Sequence, residues 1–114
     1  MRLPNAERVV VDAVKLTAYC LSPHHPRGRH KARVFAEVLG LTAIHARELE
    51  SALRGAALKE EAVRARSDEY GQRYSIDFEM SRKGRTAIVR SAWIVRADED
   101  FPRFVTCYLL EERE

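Results

Sequence analysis

Residues 72–95, QRYSIDFEMSRKGRTAIVRSAWIV, decide the fold that we predict for this chain. The first part of this stretch alternates polar and apolar side chains, and its apolar members are Tyr74, Ile76, Phe78 and Met80. Such alternation is typical of a β-strand with one solvated face. The SRKG tetrapeptide predicts a tight connection, and RTAIVRSAWIV carries apolar residues on both faces, as a central strand does. The stretch therefore predicts two neighbouring strands of a sheet.

Two more strands flank this pair, and an extended segment opens the chain. AVRARSDEY alternates polar and apolar residues before the pair, and RFVTCYLL follows the turn ADEDFP. Near the start, Val9, Val10 and Val11 suit β structure, so LPNAERVVV is predicted to be an extended lead-in. The second half of the chain is therefore predicted to form an antiparallel meander of about four strands.

The first half of the chain is predicted to be helical. Asp12 is a suitable N-cap for a short helix, AVKLTAYCL, in which Val14, Leu16 and Leu21 offer apolar contacts. The prolines and glycine of SPHHPRG then end this helix, because they cannot continue it.

Two further helices are predicted before the sheet. One runs from about His30 to Leu39 and ends at Gly40, a residue that readily adopts a left-handed conformation. Thr42 can cap the other, which runs through about Ala56. Its predicted buried members are Ile44, Leu49 and Leu53. Helices followed by strands predict an α+β fold, with three N-terminal helices covering one face of a four-stranded antiparallel meander.

Composition excludes several classes of protein. With 114 residues, 46% of them hydrophobic and 32% charged, the chain is predicted to be one globular domain, 1–114, and not disordered, collagenous or coiled-coil. No apolar run approaches the roughly 20 residues of a membrane helix, and we expect neither a signal peptide nor a membrane partner. Cys20 and Cys107 form no CxxC pair, so reduced thiols in a cytoplasmic protein are expected, with one helix-to-sheet disulfide as the alternative.

Positive charge is concentrated in residues 22–35, SPHHPRGRHKARVF, which contain three of the four histidines. No acidic residue interrupts this stretch, whereas the end of the chain is acidic. The turn precedes a predicted helix N-terminus, where free N–H groups and the helix dipole favour an anion. Gly28 would let the backbone approach a phosphate closely, and Arg27 and Arg29 flank it. A solvated basic turn is the alternative interpretation.

Lys31 is the most informative cation of this stretch. Helical spacing puts it on one stripe with Val34, Phe35 and Val38, which should pack on the sheet. Lys31 either lies along the edge of the core with its ammonium in water or points its ammonium into the crevice between helix and sheet.

The histidines favour acid–base chemistry over metal binding. Their spacing lacks the carboxylate or thiolate partners of zinc sites, so neither a metal nor a cofactor is expected. Ribonucleases that form a cyclic phosphate need a base, an acid and cations around the phosphoryl group. His30 and His25 could supply the first two, with Lys31 and Arg29 as cations. His45 is interpreted as structural.

The sheet is predicted to supply the other wall of this site. Arg90 lies in the central strand, where a charge needs a partner or a ligand, and an ion pair with Asp77 or Glu79 is the alternative. Arg85, at the start of the same strand, is a further candidate phosphate ligand. Tyr108 shares a face of the last strand with Thr106 and completes the predicted site.

Four segments carry a resemblance to a known family: RLPNAERVVVD, KLTAYCLSPHHPRGRHKARVF, GRTAIVRSAWIV and PRFVTCYLL. They resemble an uncharacterised bacterial domain family, a domain of unknown function, and the H-P-x-G-R-H-K-A run with the later W-I-V strand is the most specific part. The resemblance implies an association with toxin–antitoxin or toxin–immunity systems, and hence a small cognate antitoxin or immunity protein as partner. The order of helices and strands is also similar to that of barnase- and RelE-like ribonuclease toxins.

Two functions are therefore expected from the sequence. The first is a toxin-like domain that binds or cleaves RNA without a metal. The second is a non-catalytic module that docks an acidic partner protein or nucleic acid through the basic turn.

Overall fold

The computed structural model of the protein describes residues 1–110 and confirms the predicted α+β fold class. Of the acidic end of the chain, Glu111, Glu112 and Glu114 lie outside the described part. In chain order the elements are a 3₁₀ turn (Ala6–Arg8), α1 (Ala13–Lys15) with a π-helical continuation (Leu16–Cys20), α2 (Arg29–Leu39), a second 3₁₀ turn (Ala43–His45), α3 (Ala46–Lys59), β1 (Val63–Asp68), β2 (Gly71–Arg82), β3 (Arg85–Arg96) and β4 (Pro102–Leu109).

The sheet is an antiparallel meander in the order β1-β2-β3-β4, as predicted. The β2–β3 hairpin closes where Arg82 pairs with Arg85. Lys83 and Gly84 between them have φ angles of 52° and 77°, as a type I′ turn requires, and this turn matches the right-handed twist of the strands. The four apolar residues of the alternating segment are all buried: Tyr74, Ile76, Phe78 and Met80.

The core lies between the helices and one face of the sheet. The rings of Trp93 and Phe104 meet edge to face with centroids 5.5 Å apart, and Phe35 of α2 is fully buried as well. The Trp93 indole N–H donates to Ser91 Oγ at 2.8 Å, and the Ser91 hydroxyl donates to the Ile76 carbonyl at 2.8 Å. The polar groups buried here are therefore hydrogen-bonded, which removes the cost of burying them.

The first helix is shorter than predicted. Asp12 caps it, since its side chain accepts a hydrogen bond from the Val14 N–H at 2.9 Å. Only one α-helical turn follows before the π-helical continuation, which turns Leu16 and Cys20 into the core. Val14 is 64% exposed, so its predicted apolar contact is wrong.

The extended lead-in is only partly present. Residues Ala6–Arg8 form a 3₁₀ turn instead of continuing extended. Val10 then makes a single parallel bridge to Arg103, so the lead-in fastens to the edge of β4 without becoming a strand.

The third helix begins differently from the prediction, and this difference reverses the predicted burial of one side chain. Thr42 and His45 form a reciprocal capping box around a 3₁₀ turn, and the Thr42 N–H donates to His45 Nδ1 at 3.1 Å. This tight turn points Ile44 outward, and Ile44 is 88% exposed where it was predicted to be buried. The other two predicted members of the buried face are correct: Leu49 and Leu53.

A bulge interrupts the β3–β4 pairing near the middle of β4. Ala92 pairs with Thr106 but the next residue, Trp93, pairs with Phe104, so Val105 is the extra residue. Bulges change the direction of nearby side chains and recur beside functional sites. Here the bulge lies directly before Thr106, at an edge of the sheet.

Candidate functional site

The basic turn, residues 22–28, is fastened to the π-helical turn that precedes it. His25 Nδ1 accepts hydrogen bonds from the backbone N–H groups of Arg27 and Gly28 at 3.0 and 3.1 Å. The His25 ring meets the ring of Tyr19 edge-on, with centroids 4.7 Å apart. A Cβ atom on Gly28 would overlap the Tyr19 carbonyl oxygen, so this glycine is required for close packing. The turn thus holds Tyr19 and His25 against each other.

Lys31 lies at the edge of β4 in a cluster that we call the Lys31 site: Tyr19, Lys31, Thr106 and Tyr108. Its ammonium donates to Tyr19 Oη at 3.2 Å and to Thr106 Oγ1 at 3.4 Å. The ammonium is also 5.0 Å from the centroid of the Tyr19 ring and 5.4 Å from that of Tyr108. Within residues 1–110 no carboxylate lies within 4.0 Å of this half-buried cation.

The Lys31 site has hydrogen-bond donors to spare. An ammonium has three N–H groups, and two of them are used by the two hydroxyl oxygens. Because both hydroxyls accept from Lys31, each can donate its own proton. Cys20 Sγ lies 3.8 Å from Thr106 Oγ1 as one acceptor, and within residues 1–110 the Tyr19 proton is left for another. The arrangement is therefore suited to an anion that approaches the edge of β4.

Two buried thiols lie beneath this site. Cys20 Sγ is 3.8 Å from Thr106 Oγ1, and both Cys20 and Cys107 are free and fully buried. A hydrogen bond from Cys107 lowers the pKa of Cys20 to about 6, and Thr106 and Lys31 contribute to the shift. The same hydrogen bond and burial raise the pKa of Cys107. The helix-to-sheet disulfide considered above is thus not formed.

Arg90 lies beside the Lys31 site but is paired with a carboxylate. Its Nε and Nη2 atoms donate to the two carboxylate oxygens of Asp77, both at 2.8 Å. This hydrogen bonding raises the pKa of Arg90 and lowers the pKa of Asp77. Tyr108 pairs directly with Arg90 across β3 and β4 and therefore lies between the ion pair and Lys31. The predicted alternative, an ion pair with Asp77, is present.

His30 lies on a different side of α2 from Lys31. Its Nδ1 is 3.1 Å from Nη2 of Arg33, and both residues are exposed. They border an open and mostly apolar groove of about 950 Å³. We call it the Ile44 groove; its lining includes the basic side chains Arg29, His30 and Arg33 and the apolar side chains Pro23, Ala36 and Ile44.

The four predicted phosphate ligands are spread over the surface. Arg27 is exposed on the turn, Gly28 packs on the π-helical turn, and Arg29 borders the Ile44 groove. Arg85 binds the other end of α2, where its Nη1 donates to the carbonyl oxygen of Glu37 at 2.9 Å. These residues therefore do not surround one anion.

Among the residues predicted for the catalytic site, the fold brings Lys31 and Tyr108 together. His25 does not contact them directly but packs against Tyr19, which binds Lys31. Tyr19 was not recognised from the sequence, and Thr106 was recognised only as a neighbour of Tyr108. No local pattern marks Tyr19, because its position depends on a π-helical turn that apolar periodicity does not reveal.

The described residues give no sign of a metal centre or a membrane segment. Among residues 1–110, no three His, Cys, Asp or Glu side chains gather as metal ligands would. In the same part of the chain, no helix is both long and apolar enough to cross a bilayer.

Fold and site together define a small α+β domain with an anion-suited cluster at the edge of its last strand. Residues 2–111 match the family described as Domain of unknown function (DUF6883), and the chain belongs to this family. No curated protein sequence matches the chain.

One similar solved structure is described as a contact-dependent growth inhibition toxin–immunity protein complex from Klebsiella pneumoniae 342. The matched chain has a TM-score of 0.67 and 19% identity, and the match covers 95% of this chain and 98% of that chain. At this identity the likeness establishes a shared fold.

Proposed function

We propose that this protein is a toxin-like domain that binds RNA phosphate at the Lys31 site and cleaves the RNA without a metal. The observation that carries the proposal is the half-buried Lys31 ammonium, which has only hydroxyl and aromatic partners within residues 1–110. A cation removed from water without a counter-ion is unfavourable, and a bound phosphate would supply that counter-ion. The fold shared with a chain of a toxin–immunity complex gives the biological context.

RNA fits this site better than a free anion does. Tyr108 offers an aromatic face 5.4 Å from the ammonium, on which a base could stack while its phosphate binds Lys31. Arg90 adds positive charge next to Tyr108, although Asp77 neutralises part of it. The pairing of a cation with an aromatic ring is typical of sites for single-stranded nucleic acid.

Cleavage through a cyclic phosphate requires proton transfers as well as charge stabilisation. The prediction from the sequence gives the acid–base role to His30, with His25 as the second candidate for a base or an acid. His25 Nδ1 already accepts two backbone N–H groups, which leaves this ring as a hydrogen-bond donor through Nε2. Tyr19 is a further candidate for the acid, since tyrosine can donate a proton and its oxygen is 3.2 Å from the ammonium.

The proposal is tested by incubating the purified protein with total RNA in the presence of a chelator. We expect fragments that end in cyclic phosphate, and we expect induced expression to arrest bacterial growth. Lys31→Met should reduce cleavage by about 10²–10³-fold. Lys59→Met is the matched control, because Lys59 is exposed at the end of α3. Intact RNA and normal growth with the unmodified protein would contradict the enzymatic function.

Two more variants assign the acid–base role. His30→Ala should abolish cleavage and relieve growth arrest if the assignment made from the sequence is correct. If His30→Ala is as active as the unmodified protein while Tyr19→Phe loses about 10²-fold or more, the role belongs to Tyr19.

A second candidate function is a non-catalytic module that docks an acidic partner. The cations of the Ile44 groove favour it, because Arg29 and Arg33 spread along an open surface instead of converging on one point. A protein that leaves RNA intact but binds an acidic protein or nucleic acid through Arg29 and Arg33 would support this second function.

A further inference from the structure

The Ile44 groove combines features that folding alone does not explain. Ile44 is 88% exposed and so contributes little to the core. Single exposed apolar residues are common, but Ile44 lines the same groove as the apolar residues Pro23 and Ala36. Contiguous apolar surface with a polar border is the usual arrangement of a protein-binding site.

The formally charged side chains that line the groove, Arg29 and Arg33, are both positive. Arg29, His30 and Arg33 border it, and no acidic side chain is among the residues that line it. Glu37 is the nearest acidic partner, with Oε1 3.9 Å from Nε of Arg33, but both side chains are largely exposed. An exposed pair at this distance is worth little, so Arg33 is available to a stronger partner.

The groove is also preformed. Pro23 stiffens one wall, and the Thr42–His45 capping box fixes the turn that displays Ile44. A surface that is already in its binding conformation loses less conformational entropy when a partner docks.

We propose that the Ile44 groove is the docking site of an acidic partner protein. The partner would insert an aliphatic side chain between Ile44 and Pro23 and place carboxylates against Arg29 and Arg33. Apolar insertion supplies affinity, and the opposite charges supply orientation and a faster encounter.

This surface is separate from the Lys31 site. Lys31 and Arg29 are two positions apart on α2, which puts their side chains about 160° apart around the helix axis. The docking site therefore does not depend on whether the domain cleaves RNA, and a partner could occupy it without touching Lys31.

The test is a backbone NMR titration of the full chain with three probes. The first is a synthetic amphipathic helix with leucines on one face and glutamates on the other. The second is the same peptide with every glutamate replaced by lysine, and the third is an oligouridylate. We expect the acidic peptide to shift the amide signals of Ile44, Ala36 and Arg33 with a submillimolar dissociation constant that rises with salt. We expect the basic peptide to leave them unchanged.

Matched variants separate the apolar contribution to binding from the electrostatic one. Ile44→Asp should weaken binding of the acidic peptide by about tenfold or more. Val63→Asp, which changes an aliphatic side chain that is 66% exposed on β1, should leave it unchanged. Arg29→Glu with Arg33→Glu should weaken binding by at least tenfold and remove most of its salt dependence.

Three results would overturn the proposal. The first is equal affinity for the acidic and basic peptides, and the second is an absence of shifts around Ile44 at millimolar acidic peptide. The third is a shift of the groove amides by oligouridylate, which would make the groove a nucleic-acid site. Failure of oligouridylate to shift Lys31 and Thr106 would instead count against the proposed function and leave the groove unaffected.

Discussion

Gly28→Ala should destabilise the protein, although alanine normally stabilises a chain relative to glycine. Gly28 has φ −85° and ψ −22°, a conformation that alanine adopts freely, so the backbone itself does not oppose the change. The obstacle is steric, because the added Cβ would overlap the carbonyl oxygen of Tyr19, with the carbonyl carbon at 3.0 Å and Cδ1 at 3.2 Å. The first two of these are backbone atoms, which cannot rotate away as the end of a side chain could.

The expected size of the effect follows from this geometry. Forcing extra volume into a packed site typically costs about 1–3 kcal/mol. A chain of 114 residues unfolds with an entropy of about 0.24 kcal/mol/K, so each kcal/mol changes Tm by about 4 °C. Gly28→Ala should therefore lower Tm by about 4–12 °C.

Gly55→Ala is the matched control for this substitution. Gly55 lies within α3, and a Cβ there meets nothing within 4 Å. Alanine should therefore raise the free energy of unfolding by about 0.5–1 kcal/mol through its higher helix propensity. Thermal unfolding followed by circular dichroism measures both variants. Equal or rising Tm values for the two would refute the close packing of the turn on Tyr19.

Three more predictions concern the framework. Arg82→Met should lower the free energy of unfolding by about 2–3 kcal/mol in urea, because the Arg82 side chain is only 11% exposed and its guanidinium donates to two carbonyl oxygens at the end of α2. An unchanged urea midpoint would contradict this stabilising role of Arg82. Asp77→Asn should remove up to about 1 kcal/mol at neutral pH, as its pair with Arg90 is partly exposed. Because the pKa of Asp77 is lowered in the folded state, this contribution is present above about pH 4 and disappears as the pH falls through the lowered pKa, so the variant should approach the unmodified protein in acid. Finally, Cys20 and Cys107 should react with a bulky disulfide reagent only upon unfolding, despite the lowered pKa of Cys20, since both are fully buried; rapid labelling of the native protein would show that the cover over Cys20 opens.

The sheet was predictable because its signals are local and agree with one another. In β2, period-two alternation, the SRKG turn and the apolar strand that follows all specify the same hairpin, and burial on the sheet selects that register. Gly40 likewise ended α2 where expected, with a φ of 62°. The prediction that Ile44 is buried was wrong. It rested on hydrophobicity alone, whereas the capping box between Thr42 and His45 determines the direction of the Ile44 side chain.

The site was less predictable because a cluster in sequence need not be a cluster in space. His30 and Lys31 are adjacent in the chain, and successive helix positions point about 100° apart, so α2 sends Lys31 to the edge of β4 and His30 to the Ile44 groove. The partners that give Lys31 its surroundings come from far along the chain: Tyr19 from the π-helical turn and Thr106 from beyond the bulge. The packing of α2 on β4, and of the π-helical turn on both, brings them together. One basic stretch is thereby divided between an enclosed cation at the sheet edge and an open basic border, and these two surfaces suit a phosphate and an acidic protein.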